Sequence, residues 1–481
     1  MNSSSPLLLG LAILGTLILP ANAWTLEGAP ARRLPVWDMG PAGPPADVYA
    51  YRSAEHAEPG LLPVVSAYPL EMPYPTTTFD SRQVAGYTGR SQPAPPLDGD
   101  VEYYTLDELK GEMKKLAWSK GPFRVVPYGI LWFNMAWESQ RTNVGDFTLF
   151  VLSPDDRPGD AFHVNARSTR LGINVSGPRV PCLHCAPSGG KVEIDFWGQF
   201  AGGENKPGVL LRHAYWEVKD DTFRLLGGQT WDVISPLYPG TLMYSVGWGG
   251  GNIGYRRAQL RYERYLAFSD VFLVTAQGAL AADLFSELSA NVAGDHAGWP
   301  VLQSRVGATL GPRGAGCLPI TCGVSGHVGE QEFLFDTGDP NDDATARTWS
   351  LNVDVRIPIT HRLGIQGEFF TGENLGAYLG GIVQGINTTT GEPIRATGGW
   401  VDLWYDWTPC LHSHVGYSVD DPLDRDVNNG RIYNDFFFVN LSRNLTKDFL
   451  VGVEYTSWET LYDQKADGTS DRIEFVAKYG F

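Results

Sequence analysis

From about Val125 to Phe481 the chain repeats a two-residue rhythm of apolar and polar side chains. Trp349, Leu351, Val353, Val355 and Ile357 alternate with Ser350, Asn352, Asp354 and Arg356. Leu363, Ile365, Gly367 and Phe369 alternate with Gly364, Gln366 and Glu368, and Phe449, Val451, Val453 and Tyr455 with Leu450, Gly452, Glu454 and Thr456. At the end, Ile473, Phe475, Ala477, Tyr479 and Phe481 fall opposite Glu474, Val476, Lys478 and Gly480. A strand places successive side chains on opposite faces, so each run presents one apolar and one more polar face. Strand over so long a stretch has two outlets: two sheets stacked with apolar faces inward, or one sheet closed on itself with its apolar face in lipid.

The connections separate these outlets. Tight turns sit near Asp220-Asp221, Ser269-Asp270, Thr360-His361 and Thr446-Lys447. Between them lie longer polar loops near Gln140–Asp160, Asp232–Arg256, Asp283–Trp299, Asp336–Arg347, Asn374–Pro393, Asp421–Asn429 and Tyr462–Ser470. Short and long connections alternate, as in transmembrane barrels, whereas a sandwich has no reason to keep that parity. Counting strands between connections predicts an all-β fold: a transmembrane antiparallel β-barrel of about sixteen strands over 125–481. The last strand then pairs with the one near Tyr128, leaving no edge in lipid. The even count puts both ends of the sheet on the side of the short turns.

Composition narrows the function classes. The net charge of −17 leaves no basic surplus to displace counterions from nucleic acid. Past the N-terminus no run of about eighteen apolar residues exists to span a membrane as a helix. Leu7 to Leu19 is apolar and Ala21-Asn22-Ala23 is an A-x-A site, so residues 1–23 read as a signal peptide, although no Lys or Arg precedes the apolar run. Residues 24–104 carry 13 of the 33 prolines with little periodicity and read as a disordered arm. Thr105 to Trp118 reads as a helix: Thr105 and Glu108 have capping-box spacing, and Leu106, Leu109, Met113 and Leu116 have coiled-coil spacing. A short oligomeric coil and a single amphipathic helix are both compatible with so few turns.

The candidate functional residues are arginines on predicted inward faces. With Leu171, Ile173 and Val175 toward lipid, Arg170, Gly172 and Asn174 face the lumen. Tyr215 facing outward would put Arg212 in the lumen. With Ala258, Leu260 and Tyr262 outward, Arg257, Gln259, Arg261 and Glu263 point inward. An arginine facing lipid at the bilayer midplane costs about 2–4 kcal/mol, which argues for these orientations. The loop from Asp232 to Arg256 has one acid, Asp232, and would narrow the pore if folded inward. Arginines at a constriction favour anions and grip carboxylates through the guanidinium fork. The alternative is that they pair with lumenal acids such as Glu217, Glu263 or Asp354 and only balance charge.

The five cysteines all map to the short-turn end, where an oxidising compartment would make Cys182–Cys185 and Cys317–Cys322 the candidate disulfides and leave Cys410 over. No metal site or cofactor is indicated. No nucleophile, base and orienting group recur at a recognisable spacing, so the chain is not expected to be an enzyme, and His163 and His213 read as structural.

The run Phe162-His163-Val164-Asn165-Ala166-Arg167-Ser168-Thr169-Arg170-Leu171-Gly172, with Leu211-Arg212-His213-Ala214-Tyr215 and Gly227-Gly228-Gln229-Thr230-Trp231, resembles the DcaP-like outer-membrane porin family, and more distantly the trimeric sixteen-stranded general porins. The final aromatic face, ending at Phe481, is similar to the C-terminal signal by which such barrels are recognised for insertion. The resemblance covers about residues 105–481. It implies a homotrimer in outer-membrane lipid, a periplasmic N-terminal segment and uptake of small anions such as dicarboxylates, with Arg170 and Arg212 at the constriction. Two departures stand out: the Pro-rich arm, whose candidate role is cell-wall contact, and Gln229, where general porins often carry an arginine. The expected function is passive diffusion of small hydrophilic solutes with anions favoured. The rival is a plugged barrel that displays adhesive loops without transport.

Overall fold

The structure is a computed structural model that describes residues 118–198, 208–284, 292–314, 316–335 and 343–481. The expected signal peptide, the arm and the helix from Thr105 lie outside the described residues, except Trp118, which begins the short strand Trp118–Lys120. No described helix is long and apolar enough to cross a membrane.

The chain forms β1 (Phe123–Glu138), β2 (Ala161–Asn165 continuing as Arg170–Val180), β3 (Ala186–Gly198), β4 (Gly208–Lys219), β5 (Phe223–Trp231), β6 (Arg256–Ser269), β7 (Phe272–Ala281) and β8 (Val292–His296 continuing as Val301–Leu310). It continues with β9 (Ile320–Phe335), β10 (Asp343–Pro358), β11 (Leu363–Glu373), β12 (Arg395–Thr408), β13 (Leu411–Pro422), β14 (Arg431–Thr446), β15 (Phe449–Tyr462) and β16 (Gly468–Gly480). The sheet's nineteen segments amount to sixteen strands, because β2 and β8 are interrupted and Trp118–Lys120 is a flap paired on β1. Each strand pairs antiparallel with the next, and β16 pairs with β1 from Ile130↔Gly480 to Glu138↔Arg472, closing the sheet. Phe481 extends the seam: its N–H donates to the Gly129 carbonyl at 3.0 Å and its carbonyl accepts the Gly129 N–H at 3.1 Å. Its ring lies over Gly129, where a Cβ would collide with it.

The alternation of connections holds, except that residues 311–319 at the short-turn end outrun residues 463–467 at the other. Residues 220–222, 270–271, 359–362, 409–410 and 447–448 turn tightly at the end that carries both ends of the sheet. Residues 139–160, 232–255 and 374–394 are long loops at the other. The predicted faces also hold, and they invert the pattern of a soluble core. Leu131, Phe133, Met135 and Trp137 on β1, Leu351 and Val353 on β10, and Ile473 and Tyr479 on β16 are exposed outward. Asn134, Glu138, Ser350, Asn352, Asp354, Arg472, Glu474 and Lys478 on the same strands are buried inward. A water-facing band of large apolar side chains on this scale would be untenable, whereas lipid solvates it.

One local expectation fails. Tyr215 points inward and is buried, yet Arg212 is lumenal as well. The register slips between Ile194↔Leu211 and Glu193↔His213, so Arg212 is the extra residue of a β-bulge. Strict alternation forced a choice between Arg212 and Tyr215; the bulge lets both face in.

Candidate functional site in the barrel lumen

Among the described residues, three of the loops at the long-loop end, numbered in chain order, fold into the lumen: L1 (139–160), whose Phe147, Thr148 and Val151 are buried, L3 (232–255) and L6 (374–394). The wall holds L3 by its backbone. The N–H groups of Leu237, Gly240 and Leu242 donate to Glu368 at 2.7 Å, Asp402 at 3.0 Å and Glu454 at 2.7 Å. L6 is held likewise, the N–H groups of Gly381 and Ile382 donating to Asp420 at 3.1 and 2.9 Å. The loops also grip one another, through Gly249 N–H to the Leu379 carbonyl and Gly254 N–H to the Tyr378 carbonyl, both at 2.8 Å. The glycine run permits this close approach: Gly251 has φ +120°, and a Cβ there would meet the Gly399 and Val419 carbonyls at 2.6 Å.

The two sides of the lumen differ in charge. Strands β2 to β8 bury Arg170, Lys191, Arg212, Arg224, Arg256, Arg257, Arg261 and Arg305, against the acids Glu193, Asp195, Glu217 and Glu263. Strands β11 to β15 bury Glu368, Asp402, Asp406, Asp420 and Glu454, and no Arg or Lys is buried on them. The acids on that side that hold the loops came from no sequence signal. Their partners lie far away along the chain and are backbone groups.

Most of the cations have carboxylate partners. Arg212 binds Glu193 through Nε at 2.6 Å and Asp195 through Nη1 at 2.8 Å. Arg257 pairs with Asp232 at 2.7 Å, and Arg261 reaches Glu263 at 3.4 Å while donating to Gln259 Oε1 at 2.8 Å. Glu217 pairs with Arg224 at 2.7 Å, and Asp354 takes both arms of Arg305 at 2.9 and 2.6 Å. Glu217, Glu263 and Asp354 thus sit in ion pairs, the charge-balancing arrangement that was the alternative in the sequence.

Aromatic rings supply further cation contacts. The Trp132 indole takes two cations, Lys478 at 3.7 Å and Arg170 at 5.2 Å. Arg257 lies 3.9 Å from the Tyr378 ring, Arg212 5.9 Å from Tyr244 and Arg167 4.3 Å from Trp197. Arg256 lies 4.5 Å from Trp231, 4.6 Å from Tyr255 and 5.8 Å from Trp248.

Every predicted lumenal residue is on the inner side. Arg170, Arg212, Arg257, Gln259 and Arg261 are buried, and Asn174 is half-buried lower on β2. Gln229 has outward parity between the buried, inward Leu226 and Thr230, and it donates to the Leu211 carbonyl. It therefore does not stand in for a lumenal arginine. His163 and His213 bond to Glu138 at 3.1 Å and Thr230 at 3.0 Å. All five cysteines are free thiols in the structure; Cys317 lies in the β8–β9 turn, while Cys322 stands on β9 with the parity of the outward Val324.

No family model matches the sequence, and no curated protein does either. Among solved structures, the chain is similar to the outer membrane channel DcaP of Acinetobacter baumannii at 18% identity and a TM-score of 0.62, covering 76% of this chain and 99% of that one. It is also similar to an anion-selective porin from Comamonas acidovorans at 12% identity and a TM-score of 0.51, covering 75% of this chain and 100% of that one. The described chain is thus a closed sixteen-stranded barrel with the fold of the DcaP channel and the general porins.

Proposed function

We propose that the protein is an outer-membrane porin that passes small hydrophilic solutes down their gradients and favours anions. The observation that carries the anion preference is the division of the lumen: β2 to β8 bury eight cations against four carboxylates, and β11 to β15 bury five carboxylates and no Arg or Lys. On the acidic side, Glu368, Asp402, Asp420 and Glu454 already accept backbone N–H groups from the inserted loops. L3 itself brings only Asp232, which Arg257 neutralises. Inward charge beside a low-dielectric wall focuses the field, so the excess of buried cations over buried carboxylates on β2 to β8 sets the sign a solute meets there. Arg170, Arg212, Arg257 and Arg261, with Gln259 and Asn174, are the residues proposed to line the path. The trimer, the cleaved signal peptide and the periplasmic arm belong to the same proposal and rest on the sequence.

A second reading, the plugged display barrel, has its own observation. The inward side chains of the wall are buried almost throughout, with L1, L3 and L6 packed against them. Current decides between the two. Reconstituted into a planar bilayer, the protein is expected to give stepwise ohmic openings, with a reversal potential of anionic sign in a salt gradient. An absence of steps favours the plugged barrel; steps with a cationic reversal potential keep the porin and remove the anion preference.

A further inference from the structure

On β6 the outward line of Ala258, Leu260, Tyr262, Arg264 and Leu266 carries one charge, Arg264. Its neighbours fix its parity: Glu263 and Tyr265 are buried inward, and Leu260 and Leu266 are exposed outward. Arg264 is half-buried and makes no side-chain ion pair or hydrogen bond among the described residues. An outward arginine is costly at the bilayer midplane and nearly free at the membrane interface. Register puts Arg264 at the interface. It is the partner of Phe223, the first residue of β5, and the next residue, Tyr265, donates its N–H to the Thr222 carbonyl at 2.9 Å. The β4–β5 turn therefore ends level with Arg264, while the β6–β7 hairpin continues beyond it through the exposed Leu266 and Phe268. On the other side the turn between β2 and β3 folds over the outer face. Leu183 packs there against Val218 and Phe223, and the His184 ring meets Phe223 edge-on at 6.0 Å. Tyr262, two residues from Arg264 on the same face, stacks on Phe223 at 6.3 Å.

We propose that Arg264 and the Tyr262 phenol form a site on the outer wall for the phosphate of a membrane phospholipid. A guanidinium fork matches phosphate oxygens in two parallel bonds, and a tyrosine at a membrane interface keeps its ring in the apolar layer and its hydroxyl at the polar one. Alternate residues of a strand project from one face about 7 Å apart, so both side chains reach one headgroup. Leu260 and Ala258, both exposed, continue this face toward the midplane and suit the acyl chains. A second copy of the chain fits less well. Copies sharing a membrane are related by an axis along its normal, which keeps each residue at one height. The outward acids of the strands, among them Glu330, Glu373, Asp435, Glu459 and Asp471, lie toward the long-loop end, at the opposite height from Arg264.

The site requires a membrane around the barrel but not a conducting pore, so lipid binding and bilayer current test the two readings separately. The full-length protein in neutral detergent is titrated with phosphatidylglycerol and with diacylglycerol of the same chains, and bound lipid is read by native mass spectrometry. Wild type is expected to bind phosphatidylglycerol about ten-fold more tightly than diacylglycerol, and R264Q to lose about ten-fold of that affinity, the loss of one charge-assisted bond. R443Q removes another outward arginine, exposed near the short-turn end of β14, and is expected to change the affinity by less than about two-fold. Excess inorganic phosphate is expected to leave lipid binding unchanged; displacement would assign the site to free phosphate and overturn the lipid reading. Equal binding of the two lipids by wild type overturns the proposal even if R264Q does not fold. So does phosphatidylglycerol binding that is unchanged in a folded R264Q barrel, which together with a loss of oligomer would assign Arg264 to a contact between copies. Equal losses in R264Q and R443Q reduce the effect to a general attraction at the rim and overturn it too.

Discussion

At the scale of single residues, the lumen is a set of pairings, and their completeness determines what each arginine contributes. Arg212 bridges two buried carboxylates, Glu193 and Asp195, while Arg170 shares the Trp132 indole with Lys478. Replacing Arg170 and Arg212 together with Ala is expected to shift the reversal potential toward cations, because Glu193 and Asp195 are then left facing the path. An unshifted potential in that double variant would show that these arginines are not the filter. The same change should lower the temperature at which the folded barrel loses its compact gel mobility, since breaking a buried pair from one side costs about 3–5 kcal/mol. The orientation of these residues was legible in the sequence because alternation is local. Their partners were not: Arg212 stands on β4 and Tyr244 on L3, and a bulge at Arg212 has no signature in a single sequence.

At the scale of elements, L3 is held across the lumen by side chains on β11, β12 and β15. Glu454 Oε2 accepts both the Leu242 N–H at 2.7 Å and the Asn440 Nδ2 at 2.8 Å, so one carboxylate joins the loop to two strands. Asp402 does the same for Gly240 and Gln366, each at 3.0 Å. Charge-assisted bonds of this kind are worth about 1.5–3 kcal/mol each. Glu454→Ala with Asp402→Ala is therefore expected to free the middle of L3 and give larger, noisier single-channel currents than wild type. Currents of unaltered size and noise would mean that the loop is held by its glycine packing and its grip on L6 instead. The existence of a long third loop was readable from its length and glycine run, and so was its single acid. The participation of L6 was not, because Asn374–Pro393 carries no cue that separates an inserted loop from one lying outside the barrel.

At the scale of the whole molecule, the fold was the most legible level. Period-two runs, alternating connections and an even strand number are consistent with one another, and that agreement across levels is what makes a sequence specify one structure. The closing seam is a clear case: the last apolar face in the sequence is the outer face of β16, and Phe481 caps it over Gly129. Removing Phe481 is expected to reduce the amount of folded barrel recovered from membranes while leaving the unitary current of assembled channels unchanged. Equal recovery of the truncated and full-length proteins would show that the seam does not depend on this ring.

The seam also sets a constraint in time. Ile130 finds Gly480 only after every intervening strand has been made, so the contact that completes the sheet is the one with the greatest separation along the chain. Pairings of that range form slowly, because the entropy of closing so large a loop must be met before any contact rewards it. Until then the growing sheet has two open borders, each able to recruit a stray strand from another copy. The protein's window of greatest vulnerability therefore lasts until β16 reaches β1 and both borders close at once.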